Sequence, residues 1–216
     1  VKLFSSILLS VILFSKESFA RDRTYLKRIY MGYTFAPKTS LSKSGDSEIT
    51  ELLIKKMPIF HGFSLGGNIP INDYFTFDLF HMNFLFKKLE LEHNDDEELE
   101  MLIDLSMRPR GRIPFGKDDL MEVYLAVPAG LAIKEFTNYN KPLSSWGFET
   151  GASLGGQIYL GDGGFSFFVE ASWLFRIMKT TYDSNNSSDD EPEPEAKEKM
   201  HQLIFSLGIA FPVYEY

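Results

Sequence analysis

Long segments in which apolar residues occupy every second position constrain this chain more than any other feature. In "LMEVYLAVPAGLAI" (120–133) bulky apolar side chains stand at the odd positions, and smaller, polar or charged ones at most even positions. Period-two alternation is typical of a β-strand whose two faces meet different environments. The pattern returns in "FSFFVEASWLF" (165–175) and "LIFSLGIAF" (203–211). We therefore predict an all-β protein.

The alternation marks eight segments. They are 24–36, 54–67, 73–87, 100–114, 120–134, 147–160, 164–179 and 200–216. Strands of soluble proteins usually have about five or six residues, whereas tilted membrane strands that extend beyond the bilayer are longer. The segment lengths therefore favour a membrane sheet.

The connections between these segments alternate in length. Three are short and rich in turn residues, at 67–73, 115–119 and 161–164. Four are long and polar, at 36–53, 87–100, 134–147 and 179–199. This order is typical of an up-and-down barrel with short turns at one end and variable loops at the other.

The bulky apolar face indicates which side of the sheet meets lipid. Eight strands enclose too little room for so many Phe and Leu side chains, so we expect that face to point outward. The prediction is an eight-stranded antiparallel transmembrane β-barrel, with a secreted, soluble lipocalin-like carrier as the alternative.

The first twenty residues have the pattern of a secretory signal peptide. Lys2 precedes an apolar stretch at 3–14, and Ser18 and Ala20 are the small residues before a cleavage site between Ala20 and Arg21. The apolar stretch is too short for a membrane-spanning helix, which needs about 20 residues. We therefore expect a signal peptide at 1–20 and one barrel domain at 21–216.

Composition excludes several classes of function. The formal net charge is −8, which disfavours a nucleic-acid partner. The absence of Cys excludes a disulfide framework, a thiolate metal site and a thiol nucleophile. No motif predicts a cofactor.

Four stretches carry a resemblance to a known family. They are "FSLGGNIPINDYFTFDLF" (63–80), "RPRGRIPFGKDDLMEVYLAVPAGLAI" (108–133), "GASLGGQIYLGDGGFSFFVEASWLF" (151–175) and the terminal strand. Their alternation and turns resemble the small OmpA-like and OmpX-like barrels of Gram-negative bacteria. The resemblance implies a location in the outer membrane, contact with its lipid and lipopolysaccharide, periplasmic short turns and four extracellular loops.

Seven charged residues are predicted to point into the barrel. They are Asp78, Asp104, Arg108, Arg110, Arg112, Glu122 and Glu170. Charges in a narrow lumen are costly unless they are paired across neighbouring strands. We interpret them as a structural salt-bridge plug; a gated ion path or an active site is the alternative.

The histidines suggest two further sites, both weakly. His61 and His81 flank the turn near residue 71, and a regular hairpin would pair them on one face, but two imidazoles are too few for a metal site. A bulge within 79–86 would move His81 to the other face.

Lipid A deacylases need a His-x-Ser pair, which this chain lacks, so we predict no catalysis. An approach of His201 and Glu170 to Ser172 or Ser206 leaves a lipid-modifying enzyme as an alternative.

The acidic stretches at 92–100 and 187–198 are interpreted as solvated loops. Clustered carboxylates also suit hard cations, so weak binding of Mg²⁺ or Ca²⁺ is the alternative.

The last strand, "HQLIFSLGIAFPVYEY" (201–216), resembles the C-terminal signal read by the barrel-assembly machinery. Its candidate residues are Phe211, Tyr214 and Tyr216, and a bulge at Pro212–Val213 would turn both tyrosines outward with Phe211. We expect this strand to close the barrel against 24–36.

From these patterns we expect a structural role or a role in surface interactions, carried by the four long loops. A conduit for small or hydrophobic solutes, opening through the wall near Pro109 and Pro128, is an alternative.

Overall fold

The structure is a computed structural model that describes residues 27–45, 59–90, 97–116, 119–137, 143–160, 164–182 and 195–213. The strands are β1 (Lys27–Gly45), β2 (Phe60–Pro70), β3 (Phe75–Glu90), β4 (Glu97–Phe115), β5 (Met121–Ala126), β6 (Ala129–Thr137), β7 (Leu143–Leu160), β8 (Phe165–Tyr182) and β9 (Glu195–Val213). The described residues include no helix long and apolar enough to cross a membrane. The signal peptide predicted at 1–20 lies outside these ranges, as does its cleavage site.

Antiparallel pairing closes the sheet into a ring. Apart from β5 and β6, each strand pairs with the next along the chain, and β9 pairs back onto β1 from Lys27↔Val213 to Gly45↔Ala196. Strands β5 and β6 share one position in this ring, because both pair with β4 on one side and β7 on the other. The ring therefore has eight positions, which confirms the predicted barrel and its closure by the last strand.

The two faces of the barrel have opposite character. Along the fifth position Val123, Leu125 and Leu131 are exposed on the outer face, whereas Glu122 and Tyr124 are buried inside. A soluble carrier would place its apolar face inward, and a membrane barrel places it toward lipid. The chain therefore folds as a transmembrane β-barrel, and the soluble alternative is wrong.

Several strands extend further toward the long connections than the sequence pattern indicated. The ladder of β3 and β4 continues from Lys87↔Glu100 to Glu90↔Glu97, and β9 begins at Glu195. The predicted loops at 87–100 and 179–199 are therefore too long. Polar residues obscure the alternation here because both faces of an extended sheet tolerate them once it leaves the hydrocarbon layer.

A bulge in β3 changes which residues point inward. Pairing shifts by one residue at Leu79 and Phe80 in the ladders with both β2 and β4. Asp78 and His81 are consequently both buried inside, and Leu79 is exposed outside. An extra residue in one strand reverses the alternation beyond it.

The C-terminal strand reaches the short-turn end without the predicted phase change. Its ladder with β1 is continuous from Phe35↔Phe205 to Lys27↔Val213, so the described part of the strand, which ends at Val213, does not contain the bulge expected at Pro212–Val213. Phe211 lies on the outer face against Phe165, with 5.2 Å between ring centroids. Tyr214 and Tyr216 lie outside the described residues, and the assembly signal stays a prediction.

Two inward tyrosines lie across glycines on neighbouring strands. Tyr30 pairs with Gly66 and Tyr124 with Gly155, and in each pair the phenol ring occupies the space beside the glycine. A Cβ built on Gly155 would lie 2.2 Å from the Tyr124 ring, whereas one on Gly156, which points outward, would meet its nearest neighbour at 3.7 Å. Glycine at the inward position is what allows the ring to lie there.

The variant Gly155→Ala is therefore expected to lower the free energy of unfolding by about 1–3 kcal/mol, because the methyl group displaces a buried ring. Gly156→Ala is the matched control and should stay within about 0.5 kcal/mol of the wild type. Urea unfolding of the refolded barrel, followed by tryptophan fluorescence, measures both. Equal losses for the two variants would contradict the tyrosine–glycine explanation.

Candidate functional site

The barrel interior is the largest concentration of charged groups in the described part of the chain. Fourteen charged side chains, seven cations and seven anions, are buried there. The cations are Arg28, Lys87, Arg108, Arg110, Arg112, Lys134 and Arg176, and the anions are Asp78, Glu100, Asp104, Glu122, Glu149, Glu170 and Glu198. The described interior is therefore close to neutral, although the whole chain is acidic.

Arg108 is the centre of this interior. Its Nη2 lies 2.7 Å from an Asp78 carboxylate oxygen, and its Nη1 lies 2.7 Å from Glu170. Arg110 adds a second contact to Asp78 at 3.0 Å. These groups come from β3, β4 and β8, so the cluster ties opposite walls of the barrel together across the lumen.

The two inward tyrosines complete the central cluster. The Tyr124 hydroxyl donates to Glu170 at 2.9 Å, and the Tyr30 hydroxyl accepts from Arg108 at 3.0 Å. The guanidinium carbon of Arg110 lies 4.0 Å from the centroid of the Tyr124 ring. Charge pairing, hydrogen bonding and cation–π contact therefore act on the same few side chains, and each limits the movement of the others.

A second cluster occupies the short-turn end. Arg112 lies 3.3 Å from Glu122, which also accepts a 2.6 Å hydrogen bond from the Tyr159 hydroxyl. The Arg28 guanidinium lies over the Tyr159 ring, 4.6 Å from its centroid. This cluster closes the lumen next to the central one.

A third cluster lies toward the long connections and is built on Arg176. Its guanidinium contacts Asp104 at 2.5 Å and Glu149 at 3.0 Å, and it donates to the Gln202 carbonyl oxygen at 2.7 Å. All three charged side chains are fully buried. Two adjacent carboxylates thus share one cation. Removal of Arg176 would leave both carboxylates without it.

A fourth cluster, nearest to the long connections, contains two lysines. Lys134 contacts Glu198 at 2.5 Å and Glu100 at 3.9 Å, and Lys87 contacts Glu100 at 3.1 Å. Glu100 and Glu198 belong to the acidic stretches that the sequence analysis interpreted as solvated loops. For these two residues that interpretation is wrong, because both lie on strands and point into the barrel.

The structure brings all seven charged residues predicted for the lumen onto the inner face. The prediction missed seven others: Arg28, Lys87, Glu100, Lys134, Glu149, Arg176 and Glu198. Continuing the alternation from Glu170 reaches Arg176, and continuing it from Asp104 reaches Glu100, so both residues had a usable signal. Glu198 precedes the segment predicted for the last strand and had none, since its register depends on a ladder that extends past the apolar band.

Little free volume is left between these clusters. A cavity of about 10 Å³ lies at the central cluster, beside Tyr30, His81 and Glu170. That volume holds about one water molecule. Apolar side chains fill the inner face toward the long connections, among them Leu85, Leu102, Leu174, Met178, Met200 and Ile204. The described interior is thus a packed core with charged layers.

The interruption of the fifth strand position at Pro128 does not leave an open seam. The Val127 amide donates to the Pro109 carbonyl oxygen at 3.1 Å, and the Thr150 hydroxyl donates to the Pro128 carbonyl oxygen at 3.1 Å. The register on both sides of the break is the same. The two prolines that suggested a lateral opening therefore lie in a bonded wall.

The histidines are separated by the wall of the barrel. His61 is on the outer face, where it bonds the Tyr33 hydroxyl, and His81 is inside, so the predicted side-by-side pair is wrong. His201 is also outside, whereas Ser172 and Ser206 are inside, which excludes the suggested approach of His201 to either serine. No group of three or more His, Asp or Glu side chains within the described ranges is arranged to hold a metal ion.

Replacing Arg176 by Met is expected to lower the free energy of unfolding by about 3–5 kcal/mol, because two buried carboxylates lose their cation. Adding Asp104→Asn and Glu149→Gln removes those charges and should recover at least half of the loss. Denaturant unfolding in micelles measures the single and triple variants. A triple variant no more stable than the single one would contradict the pairing explanation.

Comparisons with known proteins give structural likenesses only. No family model and no curated protein matches the sequence. The outer membrane protein OprG from Pseudomonas aeruginosa is similar in structure, with a TM-score of 0.58 and 12% identity over 89% of this chain and 99% of that one. Ail of Yersinia pestis gives 0.48 and 15%, over 86% and 97%. The outer membrane protease OmpT of Escherichia coli gives 0.42 and 9%, over 88% and 97%.

Of these three structures, OprG is similar enough for the folds to be compared, and its low sequence identity carries no activity over to this chain. The similarity covers most of this chain and agrees with the closed antiparallel ring. The chain has the fold of a small outer-membrane β-barrel.

Proposed function

We propose that this protein is an integral outer-membrane protein whose barrel is a rigid scaffold, and whose structural or surface-interacting role is carried by the four long connections. The observation that carries the proposal is the filled, charge-balanced interior. Its clusters tie opposite walls together, and the cavity at its centre holds about one water. Such a barrel presents loops without needing a solute path.

Connectivity supports the assignment of function to one end of the barrel. The connections at 46–58, 91–96, 138–142 and 183–194 all join strands at the end toward which β1 and β8 run. The three short connections join strands at the other end. Variation at the long-connection end would leave the ladders within the membrane unchanged, and this is the arrangement that lets a scaffold carry interaction loops.

Planar-bilayer recording tests the packed interior directly. The purified, refolded protein is expected to produce no discrete conductance steps, because the Arg108 cluster crosses the lumen and ions have no continuous path. A porin reconstituted in the same bilayers is the positive control. Reproducible steps that depend on this protein would overturn the scaffold proposal in favour of the conduit.

Epitope insertion tests the location and the orientation. Tags placed within 46–58 and 183–194 should bind antibody on intact cells, whereas tags at 117–118 and 161–163 should bind only after permeabilisation. The protein should fractionate with the outer membrane and show a heat-modifiable gel shift. Binding at the short turns on intact cells would reverse the orientation, and recovery in the soluble fraction would overturn the proposal.

A lipid-modifying enzyme is the alternative left open by the sequence, and the serine–histidine approach suggested for it has no geometric support among the described residues. The face occupied by His201 is opposite to that of Ser172 and Ser206. A change in the mass of lipid A on expression of the protein would support the enzyme.

A further inference from the structure

The cluster around Arg176 contains more anions than cations. The carboxyl groups of Asp104 and Glu149 face a single guanidinium, and all three side chains are fully buried. The Arg108 cluster and the lysine cluster, by contrast, each join two cations to two anions among the described residues. An unbalanced charge away from water is costly, and of two carboxyl groups that share a site one commonly keeps its proton.

The two carboxyl groups contact Arg176 unequally. Both oxygens of Asp104 accept hydrogen bonds, Oδ1 from Nε at 2.8 Å and Oδ2 from Nη2 at 2.5 Å. Glu149 has one such contact, from the same Nε to its Oε2 at 3.0 Å. Its Oε1 is buried and has no hydrogen-bond partner among the described residues. The contacts therefore favour the negative charge on Asp104 and leave Glu149 as the group that carries a proton.

The other titratable groups that point into this part of the lumen contact different partners. Among the ion pairs of the described residues, Glu149 takes part in the one with Arg176. The remaining inward groups on the strands around it are Lys134 on Glu198, Glu170 on Arg108, Lys87 on Glu100, and His81 on Tyr30. None of these described contacts supplies a second cation to the Asp104–Glu149 pair.

Buried polar atoms beside the pair also lack partners. Ser106 of β4 and Glu149 of β7 lie on either side of Gly130, which has no side chain between them. Asn83 of β3 lies opposite Asp104 in their ladder. The Ser106 hydroxyl and the Asn83 Oδ1 atom are both buried without a hydrogen-bond partner in the described structure. Both can accept a hydrogen bond, so a carboxyl O–H at Glu149 adds a donor where acceptors are in excess.

A metal ion is the other means of balancing two carboxylates. The described ranges contain no group of three or more His, Asp or Glu side chains arranged to hold one. A proton needs no such set of ligands and no cavity.

We propose that Asp104 and Glu149 hold one proton between them in the folded barrel at neutral pH, with the charge on Asp104 and the proton on Glu149. The cluster then has one cation and one anion. A glutamate in the unfolded chain is ionised at neutral pH, so folding takes up this proton. Stability therefore falls as the pH rises for as long as the folded barrel keeps the proton. The effect is about tenfold in the unfolding equilibrium constant for each unit of pH.

The variant Glu149→Gln tests the proton, because glutamine has the shape of a protonated glutamate and does not ionise. Urea unfolding of the refolded full chain is measured at several values between about pH 6 and about pH 8. We expect Glu149→Gln to be at least as stable as the wild type at neutral pH. The ratio of the two unfolding constants should change by about tenfold per unit of pH.

Asp104→Asn is the matched comparison, since it removes the carboxylate with two contacts to Arg176. Its unfolding constant at neutral pH should be at least tenfold larger than that of the wild type. A Glu149→Gln variant that loses as much stability as Asp104→Asn would overturn the proposal. A ratio of wild-type to Glu149→Gln unfolding constants that does not depend on pH would overturn it as well.

Infrared spectroscopy of the folded protein gives a readout that needs no unfolding. The wild type at neutral pH should show the C=O stretch of one protonated carboxyl group, and Glu149→Gln should lack it. Glu122→Gln, which changes a buried glutamate paired with Arg112, is the control and should keep the band. Replacing sodium by choline at constant ionic strength should leave the band unchanged. Absence of a band that depends on Glu149, or its appearance only without sodium, would overturn the proposal.

Discussion

The structure depends on one constraint: in hydrocarbon, every backbone N–H and C=O needs a partner within the protein. The ladder between β1 and β9 meets it by removing the sheet edges, and pairing there runs from Lys27↔Val213 to Gly45↔Ala196. Even at the break near Pro128, the Val127 amide donates a hydrogen bond to the Pro109 carbonyl oxygen. Closure at eight strands then determines the width of the lumen, and that width determines what the inner face can hold.

A lumen of this width is filled by side chains, and here the filling is largely ionic. Isolated buried charges would be unstable, so the seven cations and seven anions form clusters in which each described partner comes from a neighbouring or opposite strand. Arg108 joins β4 to β3 and β8, and Arg176 joins β8 to β4 and β7. Such cross-lumen contacts rigidify the barrel, and a rigid wall is what a scaffold for surface loops requires.

Much of the fold could be predicted because one physical rule, the alternation of lipid-facing and lumen-facing residues, acts locally. Val123, Leu125 and Glu122 could be assigned to their faces from neighbours in sequence. The errors occur where alternation is broken or hidden. The bulge at Leu79 moved His81 inward, and the acidic residues around Glu100 and Glu198 were interpreted as loops although both side chains are buried on strands. Pro212 suggested a bulge that the continuous ladder does not contain.

The architecture follows from the order of residues, because eight alternating segments joined by short and long connections are sufficient for a closed barrel with its apolar face toward lipid. The need to pair the inward charges follows from the same alternation, because it buries them in the lumen. Which charges meet depends on the three-dimensional fold. Asp78 and Glu170 are 92 positions apart in the chain and share Arg108, because ladder register and bulges bring distant strands together across the lumen. The same register places Lys179 opposite Lys197, a juxtaposition that local sequence does not contain.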